Sequence, residues 1–315
     1  MEYRTLGSSG LQISLAGLGC NNFGQRIGEA ESVAVVDAAL DAGIRFFDTA
    51  DVYGGGRSEE LLGRALGRRR HEVVIASKFG YRTGPGPDQG GGSRHSVIAS
   101  CERSLRRLGT DWIDLYFMHV PDPDTPIEET LDAMNWLVAQ GKVRYLGCSN
   151  FAGWQIAHAQ GVARAGRLRG FMSVQNEWSL LERGIEREVV PACEHHGLGI
   201  LPYFPLAGGA LTGKYRRGER FDETSRFGNS DARKGMFGHF VSDASLARVE
   251  RLERVAAETG HTLLELALSW LASQPTVSSV IAGATRPEQV DNNVAATRSD
   301  LGPELIEAVE KALGA

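Results

Sequence analysis

From about residue 16 onward, short apolar runs alternate with longer amphipathic ones, and few architectures accept that rhythm. The apolar runs are LAGLGC, IRFFD (44–48), VVIAS (73–77), WIDLYFM (112–118), RYLGC (144–148), SVQ (173–175), LGILPY (198–203) and VSSVIAG (277–283). Several are apolar throughout, as strands buried on both faces must be. The stretches between them read as helices. SVAVVDAALDAG keeps its apolar residues on one face and stops at Gly43. SVIASCERSLRRLGT starts from Ser96 and ends at Gly109. TPIEETLDAMNWLVAQG offers Thr125 as N-cap, Pro126 at the first helical position, Glu128 for a capping box and Gly141 as the stop. IEREVVPACEHHG and LLELALSWLAS follow the same pattern.

Uninterrupted alternation predicts an α/β fold, a (β/α)8 TIM barrel of eight parallel strands with right-handed crossovers. An open doubly wound sheet is the competing architecture. It normally carries G-x-G-x-x-G after its first strand, and GLGCNNFG does not fit that spacing. The segment YRTLGSSGLQIS predicts an N-terminal β-hairpin closing the barrel bottom. Additional helices are expected, including one at about 303–313. Residues 81–94 and 204–240 form long Gly-rich loops on the rim, where loops of that length are functional or mobile. No linker divides the chain, so one domain spanning 1–315 is expected.

Barrel enzymes place their chemistry where the strands end. IRFFD ends in Asp48, with Tyr53 five residues on; the next two strands run out at Lys78 and His119, and VRYLGCSN ends in Ser149 and Asn150. A phenol titrates near 10, too high for efficient acid–base work at neutral pH, and an adjacent ammonium lowers that value. Asp48 supplies the counter-ion a buried Lys78 needs, and His119 can orient an incoming oxygen. Together they could protonate an oxygen that becomes negative as a carbonyl is reduced, with the hydride coming from a cofactor. Each residue alone has a plainer reading: a turn-forming Asp, a packed Tyr, a solvated Lys, a satisfied rim His.

A net charge of −5 makes no electrostatic case for nucleic acid or for an anionic membrane surface. No apolar stretch approaches the roughly 20 residues a membrane span needs, and MEYRTLGSSGLQIS lacks the pattern of a signal peptide. Cys20, Cys101, Cys148 and Cys193 lie far apart and read as reduced and mostly buried, which suits the cytoplasm.

The blocks FFDTADVYGGGRSEELLGRAL, VIASKFG, DLYFMHVPDPDTPIEETLDAM, GKVRYLGCSNF, VQNEWSLLER, LPYFPLAGGALTGKY and VIAGATRPEQVDNN resemble the aldo-keto reductase superfamily, in order and over almost the whole chain. The resemblance implies that Asp48, Tyr53, Lys78 and His119 form a catalytic tetrad, with no metal. It makes Tyr53 the general acid in reduction and general base in oxidation. It also implies NADPH, in preference to NADH, with Ser149, Asn150 and Gln175 on the nicotinamide carboxamide and Tyr203 stacked on the ring. Gly19, Cys20 and Asn21 lie where the family contacts the nicotinamide ribose, and Leu206 and Lys214 where it folds over the pyrophosphate. Gly283, Thr285, Gln289, Asn292 and Asn293 match the block receiving the adenosine end, where a helix N-terminus favours an anion. Arg286 or Arg226 offers a planar guanidinium to a 2′-phosphate, with surface solvation as the other reading.

Trp178 stands where family members often have Tyr, and Phe204 where they often have Ser. Phe23, Phe79, Tyr81 and Trp178 are candidates for an aromatic substrate wall, and equally for core or rim packing. The chain ends soon after its last expected helix, which predicts an open pocket and broad tolerance of carbonyl substrates. The expected partner is a small-molecule carbonyl compound; oligomeric state is not legible. Two other functions fit the resemblance: a cofactor-binding regulator like potassium-channel β subunits, and a dehydrogenase of alcohols or sugars.

Overall fold

A computed structural model describes residues 1–86, 88–223, 225–228, 235 and 237–314. After the hairpin strands β1 (Tyr3–Thr5) and β2 (Gln12–Ser14) come β3 (Ala16–Gly19), β4 (Phe46–Asp48), β5 (Val74–Phe79), β6 (Ile113–Met118), β7 (Val143–Ser149), β8 (Ser173–Gln175), β9 (Gly199–Ile200) and β10 (Val280–Gly283). These last eight form one parallel sheet in the order β10-β3-β4-β5-β6-β7-β8-β9. The ring closes where Ile200 bridges Val277: the Ile200 N–H donates to Thr276 O (2.7 Å) and the Ser278 N–H to Ile200 O (3.0 Å). This is the expected (β/α)8 barrel.

The helices are α1 (Glu29–Asp41), α2 (Arg57–Leu66), α3 (Arg94–Leu108), α4 (Ile127–Ala139), α5 (Gly153–Ala165), α6 (Val189–His196), α7 (Asp243–Thr259), α8 (Leu263–Ala272), α9 (Pro287–Thr297) and α10 (Gly302–Leu313). Helix α8 starts on a full capping box: Thr262 accepts from the Glu265 N–H, and Glu265 accepts from the Thr262 N–H. Two expected starts move. Helix α3 begins at Arg94, because Ser93 supplies the cap that accepts from the Ser96 N–H. Helix α4 has Pro126 at its N-cap, because the Thr125 hydroxyl donates to Asp122 Oδ2 (2.7 Å) instead of capping.

Side chains alternate across each strand. Phe46, Ala76, Leu115, Phe117, Leu201 and Ile281 point inward and pack as the barrel's inner core. Phe47, Ile75, Phe79, Tyr116 and Met118 point outward into the larger core under the helices. The hairpin plugs the end where strands begin. Leu6 and Ile13 are fully buried in the inner cluster, and Arg4 donates to Ala272 O (2.7 Å) and Val277 O (3.1 Å). Gly7 (φ +52°) fits there because a Cβ would lie 2.6 Å from Gly197 O, Gly199 N and Met172 O.

The described parts of both long loops make specific contacts. Within 81–94, the Asp122 carboxylate accepts from the Gly92 N–H (2.6 Å), and Thr130 donates to Gly92 O (2.7 Å). In and just after 204–240, Tyr215 packs ring on ring with Phe221 and Phe227, and Phe240 with Phe204 and Phe237, with short 3-10 turns at Ala207–Thr212 and Gly238–Val241. Residues 87, 224, 229–234 and 236 of these loops lie outside the described residues. Among the described residues no helix is long and apolar enough to cross a membrane.

Candidate active site

The alternation that fills the inner core also builds the site. Asp48 lies two residues beyond Phe46, Lys78 beyond Ala76 and His119 beyond Phe117, so each faces inward one layer above the apolar floor. Ser149 and Gln175, buried at the ends of β7 and β8, continue the ring.

Lys78 is wholly buried and donates to both oxygens of Asp48 (2.8 Å each) and to Thr49 O (2.7 Å). Its Nζ also lies 3.3 Å from the Tyr53 hydroxyl. Burial pulls the ammonium's pKa down, but the Asp48 carboxylate and Tyr53 outweigh it and the net direction is up. Lys78 therefore stays charged, and stripping either partner from this buried pair would cost about 3–5 kcal/mol. Asp48 is held further by Gln175, whose Nε2 donates to Oδ1 at 2.8 Å.

Tyr53 arrives from the turn after β4. Gly54, Gly55 and Gly56 all have positive φ (59°, 64° and 93°), a conformation ordinary residues avoid, and this triplet turns the chain straight into α2. Tyr53 is half-buried. Burial pushes its phenol above the ordinary value, and the Lys78 ammonium only partly offsets this. The expected downward shift is thus reversed in net direction, because desolvation outweighs one ammonium. The phenol is therefore neutral and carries its proton, with a fixed cation beside it.

His119 packs edge-on against Tyr53 (ring centroids 5.9 Å) and against Tyr81 (4.7 Å). Burial, then the Lys78 cation, hold its pKa well below the usual histidine value, so the imidazole is neutral. Its Nδ1 is buried with no hydrogen-bond partner among the described residues.

On the far side of the rim, Asn150 takes a left-handed conformation (φ 62°) and gathers its neighbours. Its Nδ2 donates to His119 O (2.9 Å) and Ser149 Oγ (3.1 Å), and its Oδ1 accepts from the Tyr203 hydroxyl (2.8 Å). The Asn176 carboxamide accepts from the Asn150 N–H (2.9 Å), a supporting contact that sequence reasoning missed. Gly19 and Asn21 meet Gly283 across β3 and β10: a Cβ on Gly283 would lie 3.3 Å from Asn21 Oδ1, and one on Gly19 would lie 3.7 Å from the Gly283 nitrogen. Cys20 is buried, its N–H donating to Asp48 O (2.8 Å), and burial lifts its thiol well above the usual range. Thr285 donates from its N–H to Gln289 Oε1 (2.8 Å) at the start of α9, with Asn293 buried and Asn292 exposed.

Leu206 opens the turn Ala207–Thr212, whose Gly208 and Gly209 have positive φ (65° and 102°). A Cβ on Gly208 would lie 3.3 Å from Arg226 Cδ, and one on Gly209 would lie 2.9 Å from Lys214 Nζ. Two cations thus flank bare backbone. Arg226 also sits over the Phe204 ring (5.6 Å); burial and then the neighbouring Arg26 lower its pKa. Arg286 stands apart, with an exposed side chain 3.8 Å from Glu288. Of the four proposed wall aromatics, Phe23, Phe79 and Trp178 are buried in the outer core, and only Tyr81 is exposed beside His119.

The Aldo/keto reductase family model matches residues 16–313. The chain is 39% identical to a probable voltage-gated potassium channel subunit beta of Oryza sativa subsp. japonica, over 98% of this chain and 96% of that protein. It is 34% identical to the L-glyceraldehyde 3-phosphate reductase of Escherichia coli K12 (94% and 87% covered). It is also 33% identical to the versiconal hemiacetal acetate reductase of Aspergillus parasiticus (99% and 96%). On this match, and with reductases among its relatives, the chain belongs to the aldo/keto reductase family and is an oxidoreductase.

Proposed function

We propose that this protein reduces aldehydes or ketones with NADPH, using Tyr53 as general acid. The observation that carries the reading is the buried Lys78 Nζ, 2.8 Å from the Asp48 carboxylate and 3.3 Å from the Tyr53 hydroxyl. The rim beyond Asn150 fits a dinucleotide. Ser149, Asn150 and Gln175 would hold the carboxamide, and Tyr203 the ring. Gly19, Cys20 and Asn21 would meet the adjoining ribose, and Leu206, Lys214 and the Gly208–Gly209 backbone the pyrophosphate. Gly283, Thr285, Gln289, Asn292 and Asn293 would receive the adenosine end, and Arg226 suits a 2′-phosphate better than the outlying Arg286.

The bound cofactor supplies the hydride. This chain's own residues do the rest. His119, neutral and partly unpartnered, orients the substrate oxygen toward Tyr53. As that oxygen becomes negative, Tyr53 gives it the phenolic proton, and Lys78 stabilises the phenolate left behind. Asp48, fixed by Gln175, holds Lys78 in place. Run backwards, the same groups oxidise an alcohol.

Turnover of a carbonyl panel with NADPH and with NADH tests this directly. The expected result is oxidation of NADPH by aldehydes with kcat/KM at least ~10-fold above NADH, about 1.4 kcal/mol of discrimination. Equal values would remove the 2′-phosphate assignment. Tight NADPH binding without turnover of any carbonyl would favour a second reading, a cofactor-binding interaction protein, which the relative named as a channel β subunit supports.

A further inference from the structure

Away from the rim, α2 and α3 border a cavity of about 510 Å³ lined by Arg57, Glu60, Arg64, Arg103, Arg106 and Arg107. The spacing explains the cluster. Arg57, Glu60 and Arg64 share one face of α2, and Arg103, Arg106 and Arg107 one face of α3. Gly63 lets the helices approach so closely that a Cβ there would lie 2.3 Å from Leu108 O, which brings the two arginine rows together.

The charges do not balance. Arg57 and Arg64 share Glu60 and Glu29, Arg103 pairs with Asp88, and Arg107 donates to the buried Glu59 (2.6 Å). Arg106 is exposed and has no acidic partner among the described residues. Five guanidiniums therefore face four carboxylates, in a lining with no apolar residue. Each guanidinium carries five N–H donors, and the ion pairs occupy only part of them. Planar forks of this kind match phosphoryl oxygens, and the volume is that of a small-molecule site.

We propose that this cleft is a second, non-catalytic anion site that binds a small organic phosphate carrying more than one phosphoryl group. The site is independent of the reading of the rim. Arg57, in its lining, directly follows the glycine turn that carries Tyr53. Arg107 holds Glu59, which also accepts from Ser77, the neighbour of Lys78 on β5.

Calorimetric titration with inorganic pyrophosphate, at constant ionic strength and with and without saturating NADP⁺, tests the site. With NADP⁺ saturating, so that the rim's own pyrophosphate position is filled, the expected result is one saturable site with Kd below about 1 mM, weakened at least ~10-fold in Arg64→Gln/Arg106→Gln; without NADP⁺ the same site persists beside any binding at the rim. Adenosine diphosphate and sulfate distinguish an organic diphosphate from any divalent anion: the first should match or exceed pyrophosphate, and the second should bind more weakly. Unchanged affinity in the double variant, no saturable binding, equal binding of sulfate, or binding of a glutamate decapeptide in place of pyrophosphate would each overturn the proposal. Thermal midpoints measured without ligand establish that the variant is folded.

Discussion

Asp51 shows how one residue in the Tyr53 turn can set a pH dependence. It is 5% exposed, its Oδ1 has no partner among the described residues, and burial followed by the nearby Glu59 raises its pKa to about 7. Arg107 and Arg103 pull the other way without cancelling this. Between the unfolded value of 3.8 and the folded value of about 7, the folded chain holds the extra proton. Its contribution to stability is thus full below the unfolded pKa and is lost as pH rises through the folded one. Asp51→Asn should leave the thermal midpoint nearly unchanged at about pH 4, and stabilise the protein by roughly 1–3 kcal/mol at about pH 8. Parallel midpoint curves for the two proteins across that range would contradict this. Sequence brought Asp48, Lys78 and His119 to neighbouring strand ends, as the structure has them, because strand ends and alternation are written in it. It could not give the direction of Tyr53's shift, which depends on how much burial outweighs Lys78. Sequence also left the aromatics open between substrate wall and packing, for a related reason. Phe79 is one residue beyond Lys78, and a single step along a strand moves a side chain from the barrel interior to the helix layer.

At the scale of elements, α2 and α3 make their contact through backbone. Alanine favours helix over glycine by about 1 kcal/mol, so Gly63→Ala would stabilise an isolated α2. Here the new methyl meets Leu108 O at 2.3 Å, and the helices must separate. The variant should lose about 1–3 kcal/mol in a denaturant titration; a gain would mean that α2 and α3 adjust freely. Helix interiors were legible from periodicity, whereas starts shifted where a neighbouring side chain took the capping group, as Asp122 takes Thr125. Helix α7 went unassigned although Ser242 caps it and Gly260 ends it, because it lies beyond a long loop that breaks the strand–helix rhythm. The packing of that loop's described aromatics was hidden too: Tyr215, Phe221 and Phe227 stand six residues apart with only polar residues and one glycine between them, which marks neither a helix face nor a strand.

Over the whole molecule, the barrel separates stability from chemistry. Leu6, wholly buried in the inner cluster, belongs to the hairpin plug at the end where strands begin, opposite the rim of Lys78 and Tyr53. Leu6→Ala should cost about 2–5 kcal/mol in unfolding free energy. Its KM and kcat at moderate temperature should stay within about twofold of the parent, since distant sites act independently. A large change in kcat would show that the plug reaches the site. The rim itself divides in two. On the proposed function, one half, Asp48, Tyr53, Lys78 and His119, serves proton transfer, and the other, centred on Asn150 and Tyr203, holds the nicotinamide. Tyr53→Phe tests that division most directly, through NADPH affinity by fluorescence titration and kcat on an aldehyde, measured on the same preparation. The account predicts an affinity within about threefold of the parent and a kcat lower by about 10²–10⁴. Retained turnover, or a loss of affinity as large as the loss of rate, would contradict it.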